Sequence, residues 1–140
     1  TLLQKQYDFV TLLIGVNNQY RNLSITEFDQ EFTFLLLKAL QYNGHQNNRV
    51  FVLSIPDWSH TPFAQNKAQE TGLNLTEISA QIDAFNEVIK KRCEDMEIEF
   101  IYITDVTRNC APEMLAQDGL HYSANMHQIW ANLLLQKFEL

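Results

Sequence analysis

Two short stretches of this chain hold side chains that could do chemistry. In Asp118-Gly119-Leu120-His121 a carboxylate and an imidazole stand about one helical turn apart, near enough for the carboxylate to accept the ring N–H. That bond would fix the tautomer and leave the other ring nitrogen as a general base. The second stretch is Asn17-Asn18, which closes the apolar run Thr11-Leu12-Leu13-Ile14-Gly15-Val16. An Asn amide at such a point can aim an N–H at a developing oxyanion, a role worth roughly a hundredfold to a thousandfold in rate. Each stretch has a plain alternative, since Asn-Asn is common in turns and a lone D-x-x-H can be a surface ion pair or a capping Asp. Their occurrence together weighs toward a reaction centre.

Such groups must be carried on rigid elements. Phe9 to Val16 has no polar residue except Thr11 and predicts a strand buried on both faces. Gly15 lets the backbone turn or another group approach closely. Asn17 and Asn18 then follow the strand's carboxyl end, where open α/β sheets bind ligands. Next, Ser24 and Glu27 make a capping box, with Leu23 stapled to Phe28. The helix they start is expected to reach about Gln41, with Ile25, Phe28, Phe32, Leu35, Leu36 and Ala39 on its core face and Asn43-Gly44 as its stop. Arg49 to Ile55 is a second strand, ended by Pro56. A second capping pattern, Asn74 with Glu77 and Leu73 stapled to Ile78, starts a helix to about Glu94 that buries Ile78, Ile82, Phe85 and Ile89. Asn22-Leu23-Ser24 and Asn74-Leu75-Thr76 also fit the glycosylation acceptor pattern, but capping accounts for both.

Glu97 to Thr104 is the third strand and ends in the polar cluster Asp105 to Asn109. After Asp118 to His121, Ser123 is placed to cap a last helix with Met126, Ile129, Trp130, Leu133 and Leu134 inward, and that helix start would anchor the Asp–His pair. Strands alternating with helices predict one α/β domain over residues 1–140, a parallel sheet with right-handed crossovers and helices on both faces. Thr1 to Asp8 reads as the tail of an element. Asp57 to Gly72 has no clear period and reads as a long irregular excursion, a kind of loop that is usually functional or disordered. Trp58 and His60 on it could wall a substrate pocket or simply pack the loop. The first strand is the most apolar of the three, yet as the opening strand it would stand at an edge, which proteins normally protect. Further strands upstream, or another chain, are therefore expected beside it.

Composition narrows the function. With 46% apolar residues in 140, the chain can build a core. Its net charge of −7 and ten scattered Lys and Arg argue against a nucleic-acid partner. No run approaches the roughly eighteen apolar residues that a membrane span needs. Cys93 and Cys110 have neither C-x-x-C spacing nor a metal partner, which favours two free thiols in a reducing, cytoplasmic setting. No H-E-x-x-H or comparable cluster is present, so neither a metal nor another cofactor is expected. His45 reads as a surface residue after a helix stop, and His127 as packed or solvated on the last helix.

Gly15-Val16-Asn17-Asn18 resembles the third sequence block of the SGNH, or GDSL, hydrolase family, and Asp118-Gly119-Leu120-His121 resembles its fifth. The strand and helix order and Ser54-Ile55-Pro56-Asp57-Trp58 are also similar to bacterial members, so the resemblance covers nearly the whole chain. It implies a three-layer, flavodoxin-like sheet and hydrolysis of a small carboxylic ester. Asn17 would be an oxyanion donor, His121 the general base and Asp118 its orienter, with Gly15, Asn18, Trp58 and His60 as candidates for contacting substrate. Asn18 stands where the family often has Asp, and Tyr122 where it often has Pro.

The resemblance places the attacking serine and the oxyanion glycine in two earlier blocks. No Gly-Asp-Ser occurs in the chain, and Ser24, Ser54, Ser59, Ser79 and Ser123 lack both that motif and the G-x-S-x-G elbow. The nucleophile is therefore expected upstream of Thr1, in N-terminal strands absent from this chain, which alone would be inactive. The rival reading is a non-catalytic small-ligand-binding or interaction domain on the same scaffold.

Overall fold

The computed structural model describes residues 6–138. In chain order its elements are β1 (Val10–Leu12), α1 (Val16–Tyr20), α2 (Ile25–Tyr42), β2 (Val50–Leu53), α3 (Pro62–Thr71), α4 (Leu75–Asp95), β3 (Glu99–Ile101), α5 (Thr104–Thr107) and α6 (Ala124–Leu135), with short 3-10 turns at Asn47–Arg49, Trp58–His60 and Pro112–Met114. They divide between two compact units, one of Thr1–Ile55 with Ala84–Tyr102 and one of Pro56–Asp83 with Ile103–Leu140. Residues 1–5 of the expected N-terminal tail lie outside the described residues; past them, the Tyr7 N–H donates to the Tyr42 carbonyl at 2.7 Å.

The first unit is built on a parallel sheet in the order β1-β2-β3. β2 is central, with Val10 opposite Val50 on one side and Leu53 opposite Ile101 on the other. All four of its residues are buried, as its unbroken apolar sequence requires of a strand with two neighbours and two covered faces. Beyond its end, the buried Asn86 side chain accepts from the Ile55 N–H at 2.8 Å and donates to the Ile55 carbonyl at 3.3 Å, replacing a strand partner where the ladder stops. α2 begins with the full capping box: Ser24 Oγ accepts from the Glu27 N–H, and the Glu27 carboxylate accepts from the Ser24 N–H at 2.9 Å. Phe28, Phe32, Leu36 and Ala39 are buried and Leu35 is half-buried, but Ile25 is exposed, because the first helical turn overhangs the core. On α4, Ile78, Ile82, Phe85 and Ile89 are all buried as their spacing predicts. Phe85 stacks on Phe28, ring centroids 4.5 Å apart.

β1 departs from expectation. It is three residues long rather than eight, and only part-buried, with Thr11, Leu13 and Ile14 exposed. The reason is its place: β1 has β2 on one side and no strand on the other among the described residues, so its apolar composition is not matched by burial.

In the second unit the stretch Asp57 to Gly72, expected to be irregular, contains helix α3. Its signals are local rather than periodic. The Thr61 hydroxyl accepts from the Ala64 N–H, Pro62 occupies the first turn, and Gly72 stops the helix at φ 73°. Only Ala64 on it is buried, so it lacks the apolar stripe that a periodicity argument detects. On α6, Met126 and Trp130 are buried while Ile129, Leu133 and Leu134 are half-buried. Ser123 holds the N-cap position without capping; its hydroxyl donates instead to the Glu113 carbonyl at 2.8 Å. His127 caps nothing either, its ring lying 4.7 Å from that of Trp130 with Nδ1 against the Ser123 carbonyl.

Gly15 is hemmed in by buried side chains of the first unit. Its φ of 130° is a conformation that L side chains rarely adopt, and a Cβ there would lie 2.9 Å from Phe28 Cε2 and 3.2 Å from Ile55 Cγ2, both on buried side chains. Gly15→Ala should therefore destabilise the protein by roughly 1–3 kcal/mol. Urea denaturation checks this, and an unchanged midpoint would contradict it.

Candidate active site

The Asp118–His121 pair is assembled in a turn and not on a helix. Asp118 Oδ1 accepts the N–H groups of Leu120 at 3.0 Å and His121 at 2.9 Å, folding the segment back on itself, and Gly119 takes a φ of 67° inside that turn. The other carboxylate oxygen, Oδ2, lies 2.6 Å from His121 Nδ1. These bonds, His121 first and the two backbone groups next, hold the Asp118 carboxyl down at about 2. A carboxylate so acidic is an acceptor only, so His121 Nδ1 must carry the proton and donate it. Nε2 is then the basic nitrogen. The imidazole is 76% exposed and Nε2 makes no hydrogen bond among the described residues, so a hydroxyl could reach it.

Flanking backbone bonds set this turn in the second unit. The Phe63 N–H, at the start of α3, donates to the Gly119 carbonyl at 3.1 Å, and the Ala116 N–H donates to the His121 carbonyl at 2.8 Å. Leu115 and Tyr122 form an antiparallel bridge. Between α3 and the turn lies a cleft of about 580 Å³ lined by Phe63, Asn66, Lys67, Glu70, Gln117 and Asp118, among others. Its size is within the range of small-ligand sites.

Beneath these features is a polar cluster that sequence reasoning missed. Asp57 has no solvent exposure, and its carboxylate accepts from the Ser59 N–H at 3.0 Å, Ser59 Oγ at 2.6 Å, Ser79 Oγ at 2.6 Å and Arg108 Nε at 2.8 Å. Burial pushes this carboxyl up, but the hydrogen bonds from Ser59, Ser79 and Arg108 together outweigh it and hold it below the ordinary range. Arg108 also reaches Asp83 at 2.6 Å and Asp105 at 3.5 Å. The sequence carried half of the signal: Asp57-x-Ser59 after a proline marks an Asx turn, whereas nothing in Thr107-Arg108-Asn109 announces a partner for it.

The remaining candidates fall in different surroundings. Trp58 is 5% exposed and belongs to the second unit. His60 is part-exposed, its Nδ1 3.1 Å from Asn109 Oδ1 and its Nε2 3.7 Å from Asp57 Oδ2. Gly15, Asn17 and Asn18 belong to the first unit, where the two asparagines lie in the short helix α1 and not directly after a strand. Asn18 Nδ2 donates to Glu31 Oε2 on α2 at 2.7 Å. Asn17 is exposed, and its side chain makes no hydrogen bond among the described residues. Cys93 is buried, its thiol pushed up to about 12 by that burial, and Cys110 is half-buried; both are free thiols. Among the described residues no group of three His, Cys, Asp or Glu side chains could hold a metal ion, and no helix is long and apolar enough to cross a membrane.

Comparison with solved structures finds the same fold at low identity. An acetyl xylan esterase from Geobacillus stearothermophilus is 18% identical with a TM-score of 0.65 over 94% of this chain and 60% of its own. A lipase/acylhydrolase from Enterococcus faecalis is 16% identical, TM-score 0.65, over 93% and 60%, and a GDSL-like lipase from Bacteroides thetaiotaomicron is 16% identical, TM-score 0.63, over 92% and 60%. This chain thus spans about three fifths of the length of the solved structures it matches. Comparison with curated protein sequences found no match. The sequence model of the GDSL-like lipase/acylhydrolase family matches residues 1–129. With its parallel α/β sheet and that match over most of its length, the chain belongs to the GDSL-like lipase/acylhydrolase family.

Proposed function

We propose that this chain supplies the general base of a serine-dependent carboxylic ester hydrolase. One observation carries the reading: an exposed imidazole whose Nδ1 proton is given to a carboxylate at 2.6 Å and whose Nε2 is unengaged among the described residues. In the reaction, His121 Nε2 takes the proton of a serine hydroxyl as its oxygen attacks the acyl carbonyl. The same proton then goes to the departing alcohol, and a water repeats the sequence to release the acid. Asp118 keeps the imidazole in the tautomer this requires. Asn17 donates its amide N–H to the oxyanion, a role supported by the family pattern around it and by a side chain that makes no hydrogen bond among the described residues. Gly15 and Asn18 then act as its supports, through the turn and through Glu31. Of Trp58 and His60, only His60 is exposed enough to meet a substrate.

The nucleophile in this reading is a serine outside residues 1–140. Each serine of the chain is engaged elsewhere: Ser24 with Glu27, Ser59 and Ser79 with Asp57, Ser123 with the Glu113 carbonyl, while Ser54 is fully buried. The side of β1 that pairs with no strand among the described residues fits a further strand of the same protein, or of another chain, lying beside it.

The test is hydrolysis of an aryl acetate by the longest natural form of the protein. His121→Ala should lower kcat by roughly a thousandfold or more, and Asn17→Ala by roughly a hundredfold or more with little change in stability. Unchanged turnover in either variant would remove that residue from the mechanism. A protein that binds the ester in the cleft without cleaving it would favour the non-catalytic binding module instead. By carboxylate ¹³C NMR Asp118 should titrate at about 2, rising toward the ordinary carboxylate value of about 3.9 in His121→Ala. Because its folded-state pKa is the depressed one, the stabilisation it brings is present above the ordinary carboxylate range and lost as pH falls through about 2.

A further inference from the structure

A general base works only while its nitrogen is held in place, and a misplacement of about 1 Å can cost a hundredfold. Asp118 fixes the imidazole relative to its own turn but not the turn relative to the protein. Most bonds that hold the turn run to residues 113–116, a segment that is itself exposed or half-buried. Tyr122, the residue after His121, reaches inward instead. It is half-buried, its ring centroid is 5.3 Å from that of Trp130, and its hydroxyl donates to the backbone carbonyl of Asp57 at 3.2 Å. That carbonyl is a fixed point. The Asp57 N–H donates to Thr107 Oγ1 at 3.0 Å, the Thr107 hydroxyl donates to the Thr104 carbonyl at 2.6 Å, and the Asp57 carboxylate takes four donors including the Arg108 guanidinium.

We propose that Tyr122 is a positioning residue for His121, its phenol tying the Asp118–His121 turn to the buried Asp57–Arg108 pair so that the aim of the imidazole is set from the interior. Burial raises the phenol above its ordinary pKa, so the hydroxyl keeps the proton it donates near neutral pH. The positioning half of the proposal concerns the geometry of His121 alone; its effect on rate rests on the hydrolase reading above.

The test separates the two. In the full-length protein, the low-field ¹H NMR resonance of the His121 Nδ1 proton reports the bond to Asp118 whether or not the protein is a hydrolase. Tyr122→Phe keeps the ring against Trp130 and removes only the hydroxyl, and it should broaden or shift this resonance. Ser123→Ala, which removes a bond to the exposed segment only, should leave it in place. In ester hydrolysis Tyr122→Phe should lower kcat by roughly three- to tenfold, the worth of one neutral hydrogen bond, with KM within about twofold of the wild type. A merely structural tyrosine would move the thermal midpoint without this split. An unaltered resonance in Tyr122→Phe, or equal broadening in both variants, would overturn the proposal. A resonance altered in Tyr122→Phe but not in Ser123→Ala, with a wild type that has no esterase activity, would keep the positioning role and sink the hydrolase reading.

Discussion

A carboxylate with no access to water has to be surrounded by donors, and Asp57 imposes that requirement on the second unit. Leaving such a charge unpaired costs several kcal/mol, and breaking a buried pair typically costs about 3–5 kcal/mol. The chain meets the demand from three separate places, with Ser59 just downstream, Ser79 on α4 and Arg108 after α5. Arg108 is in turn tied to Asp83 and Asp105. A residue reached from so many segments fixes all of them, and the backbone on either side of Asp57 gains the rigidity that a reactive group nearby needs.

The proposed general base sits at the other extreme of exposure. Asp118 and His121 are both open to solvent, and their bond is strong because the carboxylate is ionised and accepts three N–H groups at once, not because water is excluded. An exposed base suits a reaction in which a hydroxyl and later a water must reach Nε2. The division of labour is physical: a buried ion pair supplies rigidity, and an exposed dyad supplies a basic nitrogen of defined tautomer.

Much of this was legible in the sequence where the signal is local and redundant. The Ser24–Glu27 box and the Asn74 cap placed α2 and α4 nearly to the residue, because a helix start is written in side chains that bond to its own backbone. The apolar spacing on α4 picked out its buried face, and the alternation of strands and helices matched a parallel sheet. The Asp118–His121 contact was legible too, although its turn was taken for the lead-in to a helix. What failed were inferences that needed tertiary context. α3 buries only Ala64 and so shows no period, β1 is apolar without being covered, and the Ser123 hydroxyl donates to the Glu113 carbonyl while its oxygen accepts no N–H from the helix it precedes. For Trp58, offered as a pocket wall or as loop packing, the burial fits the packing alternative. Arg108 could not have been matched to Asp57 from 51 residues away, since a single charged residue carries no address.

The central claim is that His121 activates a serine outside residues 1–140. Treating the longest natural form of the protein with a fluorophosphonate probe and locating the tag by mass spectrometry tests it most directly. The account predicts one tagged serine outside residues 1–140 and loss of that tag in His121→Ala. A tag on Ser24, Ser54, Ser59, Ser79 or Ser123, or labelling unaffected by removing the imidazole, would contradict it.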